Sequence, residues 1–286
     1  MKYANLNGRA ALLNGTTALD VEQASGGKYS SDPMTAFHDW EAFRTWAETA
    51  DFTEATPYDP ADLRAPVAHP RQVLAIGLNY KDHALESGID IPDNPVVFTK
   101  FQSSLTGPIT EVHVPGDTMD YESELVIVIG KALHKVDEQT ALAGVAGYAV
   151  GQDFSERTVQ QRPPAAQFGL GKSFPGFGPF GPAVVTPDEV GDDAGNLQVK
   201  CVITGPTAES QGVDAWTAQD GNTQDMIFPV AELVAHLANI LTLYPGDIIF
   251  TGTPKGIGQP QGIFLQPGDV VTTSIEGLGE LQNTIV

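Results

Sequence analysis

Short apolar runs broken by glycine and proline set the frame for this 286-residue chain and leave little room for long helices. "QVLAIGL", "PVVFTK", "SELVIVIG", "GVAGYAVG", "PAVVT", "LQVKCVITG", "GDIIFTGT" and "GDVVTTSIEG" read as strands, and the 30 glycines and 21 prolines cluster between them. Regular strand–helix alternation is missing, which favours a predominantly β, α+β domain over a doubly wound parallel sheet. One helix is clear in "PVAELVAHLANILTLY". Val230, Leu233, Val234, Leu237, Ile240, Leu241 and Tyr244 form an i, i+3, i+4, i+7 stripe, Pro229 occupies the first turn and "PGD" ends it. His236 falls off the stripe and is expected at the surface.

Residues 1–70 read differently from the remainder. "AALL" and "TALDV" suggest a small β-unit, and "DWEAFRTWAETA" a helix capped by Asp39 with Phe43 and Trp46 on one face. "DLRAPVAHPRQ" reads as a linker. The expectation is a small N-terminal subdomain, 1–70, followed by a catalytic domain, 71–286.

Fifteen basic against 36 acidic residues give a formal charge of −21, which argues against nucleic acid as a partner and suits cations. A solvated acidic surface accounts for most of these carboxylates. No window approaches the roughly 18 consecutive apolar residues of a membrane span, and "MKYANLNGRAALL" lacks the marks of a secretory signal. The single cysteine, Cys201, excludes an intrachain disulfide framework and a cysteine-cluster zinc site. A cytoplasmic location is expected.

"DYESELVIVIG" carries the chemistry. Side chains alternate along a strand, so Glu122 and Glu124 share a face with Val126 and Val128, and the apolar run beyond them reads as buried on both sides. Two like charges at the mouth of a core lose hydration and repel, so they are either solvated at an exposed strand end or compensated by something positive. Asp153, at the end of "GVAGYAVGQD", is a third carboxylate at a strand terminus. Three oxygen donors match a hard cation, magnesium or manganese, with positions left for water and substrate. Other familiar motifs fail. A phosphate-binding loop ending at Gly171-Lys172-Ser173 needs glycine where Ala166 stands, no G-x-S-x-G elbow is present, and i, i+2 carboxylates sit too close to flank a glycosidic bond.

Five ordered motifs, "GLNYKDHALESG", "DYESELVIVIG", "GQDFSER", "GKSFPGFGPFGP" and "PGDIIFTGTPKGIG", resemble those of the fumarylacetoacetate hydrolase family from about Val73 to the end of the chain. The resemblance implies a β-sandwich roll, commonly dimeric, a Mg2+ or Mn2+ cofactor held by Glu122, Glu124 and Asp153, and a 2-oxo acid or 1,3-dicarbonyl substrate. In "NYKDHALES", His83 and Glu86 are spaced to hydrogen-bond on one helical face, with Asn79 as a candidate cap. From the residues alone a surface salt link is the alternative; the resemblance makes them a water-activating dyad. It also gives Lys172, in a Gly/Pro-rich loop, the role of meeting negative charge that develops on the substrate. Arg157, Gln160, Thr251 and Thr253 are candidate substrate contacts. "SGIDIPDNPVV" looks like a lid. Phe101 stands where many relatives carry proline, and Phe174, Phe177 and Phe180 suggest an apolar distal pocket.

These readings combine into a metal-dependent hydrolase that cleaves a carbon–carbon bond in an acylpyruvate-like β-diketo acid, giving pyruvate and a carboxylic acid. Oxaloacetate decarboxylation and isomerisation or hydration of a 2-oxo-enoate use the same site without that hydrolytic step. A non-catalytic acidic cation-binding protein is a third possibility, disfavoured by Lys172 and the dyad.

Overall fold

A computed structural model describes residues 1–286 apart from Ser87 and Ile89. Among the described residues it is a mixed α/β structure dominated by two large sheets with few helices, one sheet of twelve strands and one of five. From an inner strand to one edge, the larger sheet runs, neighbour to neighbour, through Gly178–Val185, Val145–Gln152, Ser123–Ile129, Ile248–Phe250, Val73–Gly77 and Val96–Thr99.

The registers explain why chemistry gathers at one end. Ser123 pairs with Gln152 and Gly151 with Phe180, both antiparallel, so one strand begins where the next ends and the third begins. Val126 pairs antiparallel with Phe250, and Ile248–Phe250 runs parallel to Val73–Ala75. The segments entering Ser123, leaving Gln152, entering Gly178, leaving Phe250 and leaving Gly77 therefore share one edge. Those are the segments that carry Glu122, Asp153, Lys172, Thr253 and His83.

Burial on both faces of Ser123–Ile129 holds as the apolar run implies. Leu125, Ile127 and Ile129 pack with Leu233, Val234 and Leu237 of the helix Val230–Ile240 and with Val199, Ile275 and Leu281 of the second sheet. Val126 and Val128 pack into a second core with Tyr3, Phe37, Trp40, Phe43, Phe180 and Phe250. The strands of the first seventy residues are continuous with the large sheet. Lys2 and Tyr3 pair with Val185 and Val184, and the Tyr3 ring meets those of Phe37, Trp40 and Phe43 edge-on at 5.3–6.0 Å.

Several local expectations change. Asp39 does cap Trp40–Ala47, accepting from the Ala42 N–H at 3.1 Å, with Phe43 buried and Trp46 half-buried. The stretch read as a linker opens with a strand, Leu63–Arg64, paired to Asn5 and Leu6. The long helix stops at Ile240, and Ile240 and Tyr244 are exposed while His236 is half-buried, because Ala235 and Ala238 join the buried face instead. The expected lid, 87–97, includes Ser87 and Ile89, which lie outside the described residues; its last two residues begin the strand Val96–Thr99.

Asn79 does not cap the helix Lys81–Glu86. Its amide donates to the carbonyls of Thr251 (2.8 Å) and Phe228 (3.2 Å), and its Oδ1 accepts the Phe228 N–H at 2.8 Å. Buried polar groups need such partners, and Asn79 ties the segment leading to His83 to the turn after Phe250. Asn79→Ala would strand the Phe228 N–H and the Thr251 carbonyl away from water. The expected outcome is a loss of about 2–4 kcal/mol in unfolding free energy, read as a lowered urea midpoint with little change in slope.

Candidate metal centre and catalytic cavity

Glu122, Glu124 and Asp153 converge, each offering a carboxylate oxygen within 4.8 Å of the others, and all three are buried. The alternative of solvated glutamates at an exposed strand end is thereby removed. Strand alternation turns Glu124 inward with Val126, and Asp153 follows the last residue of the neighbouring strand.

Three cations answer these carboxylates. Lys172 Nζ donates to Glu122 Oε2, Asp153 Oδ2 and Ser155 Oγ, each at 2.8 Å. The Arg157 guanidinium donates through Nη2 to Glu122 Oε1 (2.7 Å), through Nε to Asp120 Oδ2 (2.9 Å) and through Nη1 to Gln160 Oε1 (2.9 Å). Lys100 Nζ donates to Asp153 Oδ1 and to the carbonyls of Lys172 and Phe177. Burial alone would raise the Glu122 acid; Lys172 and Arg157 overcome it and hold the group at about 2. Among the described residues no side-chain cation hydrogen-bonds Glu124. Burial, and then the charges of Asp153 and Glu122, push it well above the ordinary carboxylate range, and the charge of Lys172 lowers it only in part. Its Oε2 accepts only the Gly252 N–H at 2.8 Å. Burial lowers the Lys100 ammonium despite the attraction of Asp153.

The donor set fits a divalent cation. Oxygen-only carboxylate ligands suit a hard ion, and the imbalance around Glu124 is the kind that such an ion corrects.

A cavity of about 430 Å³ opens on this cluster. Glu122, Lys172, Arg157, Gln160 and Thr253 line it, as do His83 and Glu86. His83 Nδ1 lies 3.0 Å from Glu86 Oε1, and both Glu86 oxygens accept the Gly256 N–H at 3.0 Å. A carboxylate only accepts, so Nδ1 is the nitrogen that donates to Glu86, and in the neutral ring the lone pair then lies on Nε2. The surface salt link weighed from the residues alone is not what forms, since His83 is buried.

Not every expected residue reaches the cavity. The Thr251 hydroxyl donates to the Leu125 carbonyl at 3.0 Å and faces the core, whereas Thr253 donates to the Ser123 carbonyl and still lines the wall. Phe177 and Phe180 are buried in separate cores, and with Phe174 they lie outside the lining. The apolar wall comes instead from Ile76, Val96, Phe98, Phe168 and Ile257, with Phe98 placing its ring 5.5 Å from Lys172 Nζ. Lys172 closes a short helix, Phe168–Gly171, rather than sitting in an irregular loop. Phe101 is exposed.

Two buried charges escaped the sequence reading. Lys100 ends "PVVFTK" like any solvated strand-terminal lysine, and only the distant Asp153 draws it into the buried cluster. Asp120 accepts from Arg157, Tyr121, Gly258 and Gln259 and so fixes Arg157 from behind. Its position two residues before Glu122 was the available signal.

Residues 72–286 match the family model described as fumarylacetoacetate (FAA) hydrolase, C-terminal. The chain belongs to the fumarylacetoacetate hydrolase family. It is 40% identical over 234 residues to the human mitochondrial oxaloacetate tautomerase, covering 80% of this chain and 71% of that one. To the 2,4-didehydro-3-deoxy-L-rhamnonate hydrolase of Sphingomonas sp. it is 44% identical over 219 residues, covering 75% and 73%. The solved fumarylacetoacetate hydrolase of Exiguobacterium antarcticum superposes with a TM-score of 0.82 at 31% identity, covering 100% of this chain and 99% of its own. Such relatives make this an enzyme, of a family whose members include hydrolases and tautomerases. No helix among the described residues is long and apolar enough to cross a membrane.

Lys100→Met keeps much of the side-chain volume but leaves Asp153 Oδ1 and the Lys172 carbonyl without their donor. In metal-free protein the expected cost is about 3–5 kcal/mol, measured by denaturant unfolding, because a buried charge loses its partner. Magnesium should recover part of the loss by binding the folded state.

Proposed function

We propose that the enzyme is a hydrolase that uses Mg2+ or Mn2+, held by Glu122, Glu124 and Asp153, to cleave a carbon–carbon bond in an acylpyruvate-like β-diketo acid. The observation that carries this reading is the dyad: His83, oriented by Glu86, opens on the same cavity as the buried carboxylates. When bound, the cation would supply Lewis-acid polarisation of the 2-oxo acid head. Arg157, Gln160 and Thr253 orient that head. His83 Nε2 takes a proton from water, and the resulting hydroxide adds to the distal carbonyl carbon. The carbon–carbon bond then breaks, its electron pair passes to the pyruvate fragment, and the His83 proton returns to the carbon released. The products are pyruvate and a carboxylic acid. Lys172 offers positive charge where that electron pair arrives.

The Sphingomonas relative supports this reading, since its name describes a hydrolase of a 3-deoxy sugar acid oxidised at carbons 2 and 4. A second reading draws on the human relative. There the dyad would move a proton at carbon 3 of oxaloacetate, with no attacking water. We propose in addition a homodimer in the cytoplasm, to be tested by light scattering and fractionation.

Two experiments test the chemistry. Exhaustive chelation should abolish acylpyruvate cleavage, with magnesium or manganese restoring it, and Glu122→Ala, Glu124→Ala and Asp153→Ala should each weaken metal binding in calorimetry. Full activity after complete metal removal would sink the cofactor assignment.

His83→Ala should lower acylpyruvate hydrolysis by about 10²–10⁴-fold, the scale of general-base catalysis, with metal affinity nearly unchanged. Adding Glu86→Gln to that variant should cost little more, because the two residues act as a unit. If wild-type enzyme leaves acylpyruvates intact and speeds oxaloacetate tautomerisation, the second reading replaces the first.

A further inference from the structure

Charge is distributed unevenly around the cavity. At its carboxylate end, Asp120, Glu122, Glu124 and Asp153 face three side-chain cations, Lys100, Arg157 and Lys172, a deficit of one positive charge. A divalent cation turns that deficit into an excess of one, which Glu86 on the same wall offsets, so the single carboxylate of a 2-oxo acid head already leaves the balance one negative charge in excess.

The remaining wall holds no further cation among the described residues. It consists of apolar side chains, chiefly Val96, Phe98, Phe168 and Ile257, and of the amides of Gln161 and Gln259. Neither of those amide side chains is committed to a protein partner among the described hydrogen bonds, so both keep donors and acceptors for a ligand. Of the basic residues near the lining in sequence, Lys255 pairs with Asp82 at 3.1 Å, Arg162 lines a separate exposed groove with Leu170 and Phe174, and Lys81, exposed two residues before His83, is not among the lining residues. The overall charge of −21 further opposes a second anionic group on the ligand.

We infer that this enzyme selects 2-oxo acids whose far end is neutral, an alkyl or hydroxylated acyl chain, and rejects those ending in a second carboxylate. The inference rests on the 2-oxo acid reading of the site and narrows it. A terminal carboxylate would lie against an apolar and amide-lined wall without a counter-ion and would lose part of its hydration there, Val96, Phe168 and Gln161 being partly open to solvent and Ile257 buried. A hydroxyl or methyl terminus loses nothing comparable, and Gln161 and Gln259 can hydrogen-bond the former.

The test is calorimetric binding of two unreactive ligands of equal length, 2-oxohexanoate and 2-oxoadipate, to the magnesium-loaded enzyme. The neutral-ended ligand should bind by roughly 10- to 100-fold more tightly, with the gap narrowing as ionic strength rises. Gln161→Arg, at an exposed position that tolerates a long side chain, should close most of that gap by strengthening 2-oxoadipate alone. Equal or tighter binding of 2-oxoadipate to the unmodified enzyme would overturn the inference, as would an unchanged gap in Gln161→Arg. Because the readout is binding, a failure of acylpyruvate hydrolysis leaves this comparison intact. Binding of neither ligand would overturn the inference together with the 2-oxo acid reading beneath it.

Discussion

Four carboxylates buried at one end of a sheet need positive charge, and much of the surrounding structure is arranged to supply it. Lys172 joins Glu122 to Asp153, Arg157 joins Glu122 to Asp120, and Lys100 holds the other oxygen of Asp153. Isolated, any of these groups would be expensive to bury, whereas within the network each charge has a partner. The exception is Glu124, which accepts from a backbone N–H and has no side-chain cation in hydrogen-bond contact among the described residues. Such an imbalance is the kind that a divalent cation from solution would correct, so the proposed metal centre would complete the network.

The same network links parts of the chain that are far apart in sequence. Lys100, Glu122, Asp153 and Lys172 come from four separate segments, and each segment is anchored by sheet pairing or by packing in one of the two cores. The strand Ser123–Ile129 can point Glu124 into the interior because both its faces are apolar and covered. The first seventy residues contribute through Tyr3, Phe37, Trp40 and Phe43, which cover the Val126 and Val128 face. Remote packing of this kind fixes the position of the Glu124 carboxylate, since an interior packed to crystal-like density resists small shifts.

Function divides along the cavity. One end is charged and hydrogen-bonded and suits a small head group together with a cation; the dyad stands beside it. The rest is apolar and amide-bearing and is charge-poor. On the proposed reading, the first part would carry the reaction and the second would set which substrate is accepted.

Legibility followed the range of each interaction. Glu122 and Glu124 stood out because local alternation alone sets two acids at the mouth of a core strand, and the His83–Glu86 pair because three residues is close to one helical turn. The metal role proposed for Asp153 came from its place as a third carboxylate at a strand terminus, and the charge-stabilising role proposed for Lys172 came with the ordered motifs. Composition and spacing by themselves determined a β-rich chain, one amphipathic helix, an acidic surface and several chemically plausible residues. Tertiary structure alone decided that Lys100 and Asp120 are part of the site, that Thr251 faces the core, that Phe98 and Phe168 rather than Phe177 and Phe180 form the apolar wall, and that Asn79 ties two loops together rather than capping a helix. The physical reason is that a charge or ring becomes functional through partners brought to it by strand register. Those partners lie 53 residues away for Lys100 and Asp153, and 172 for Asn79 and Thr251, beyond any pattern a local reading of the chain can carry.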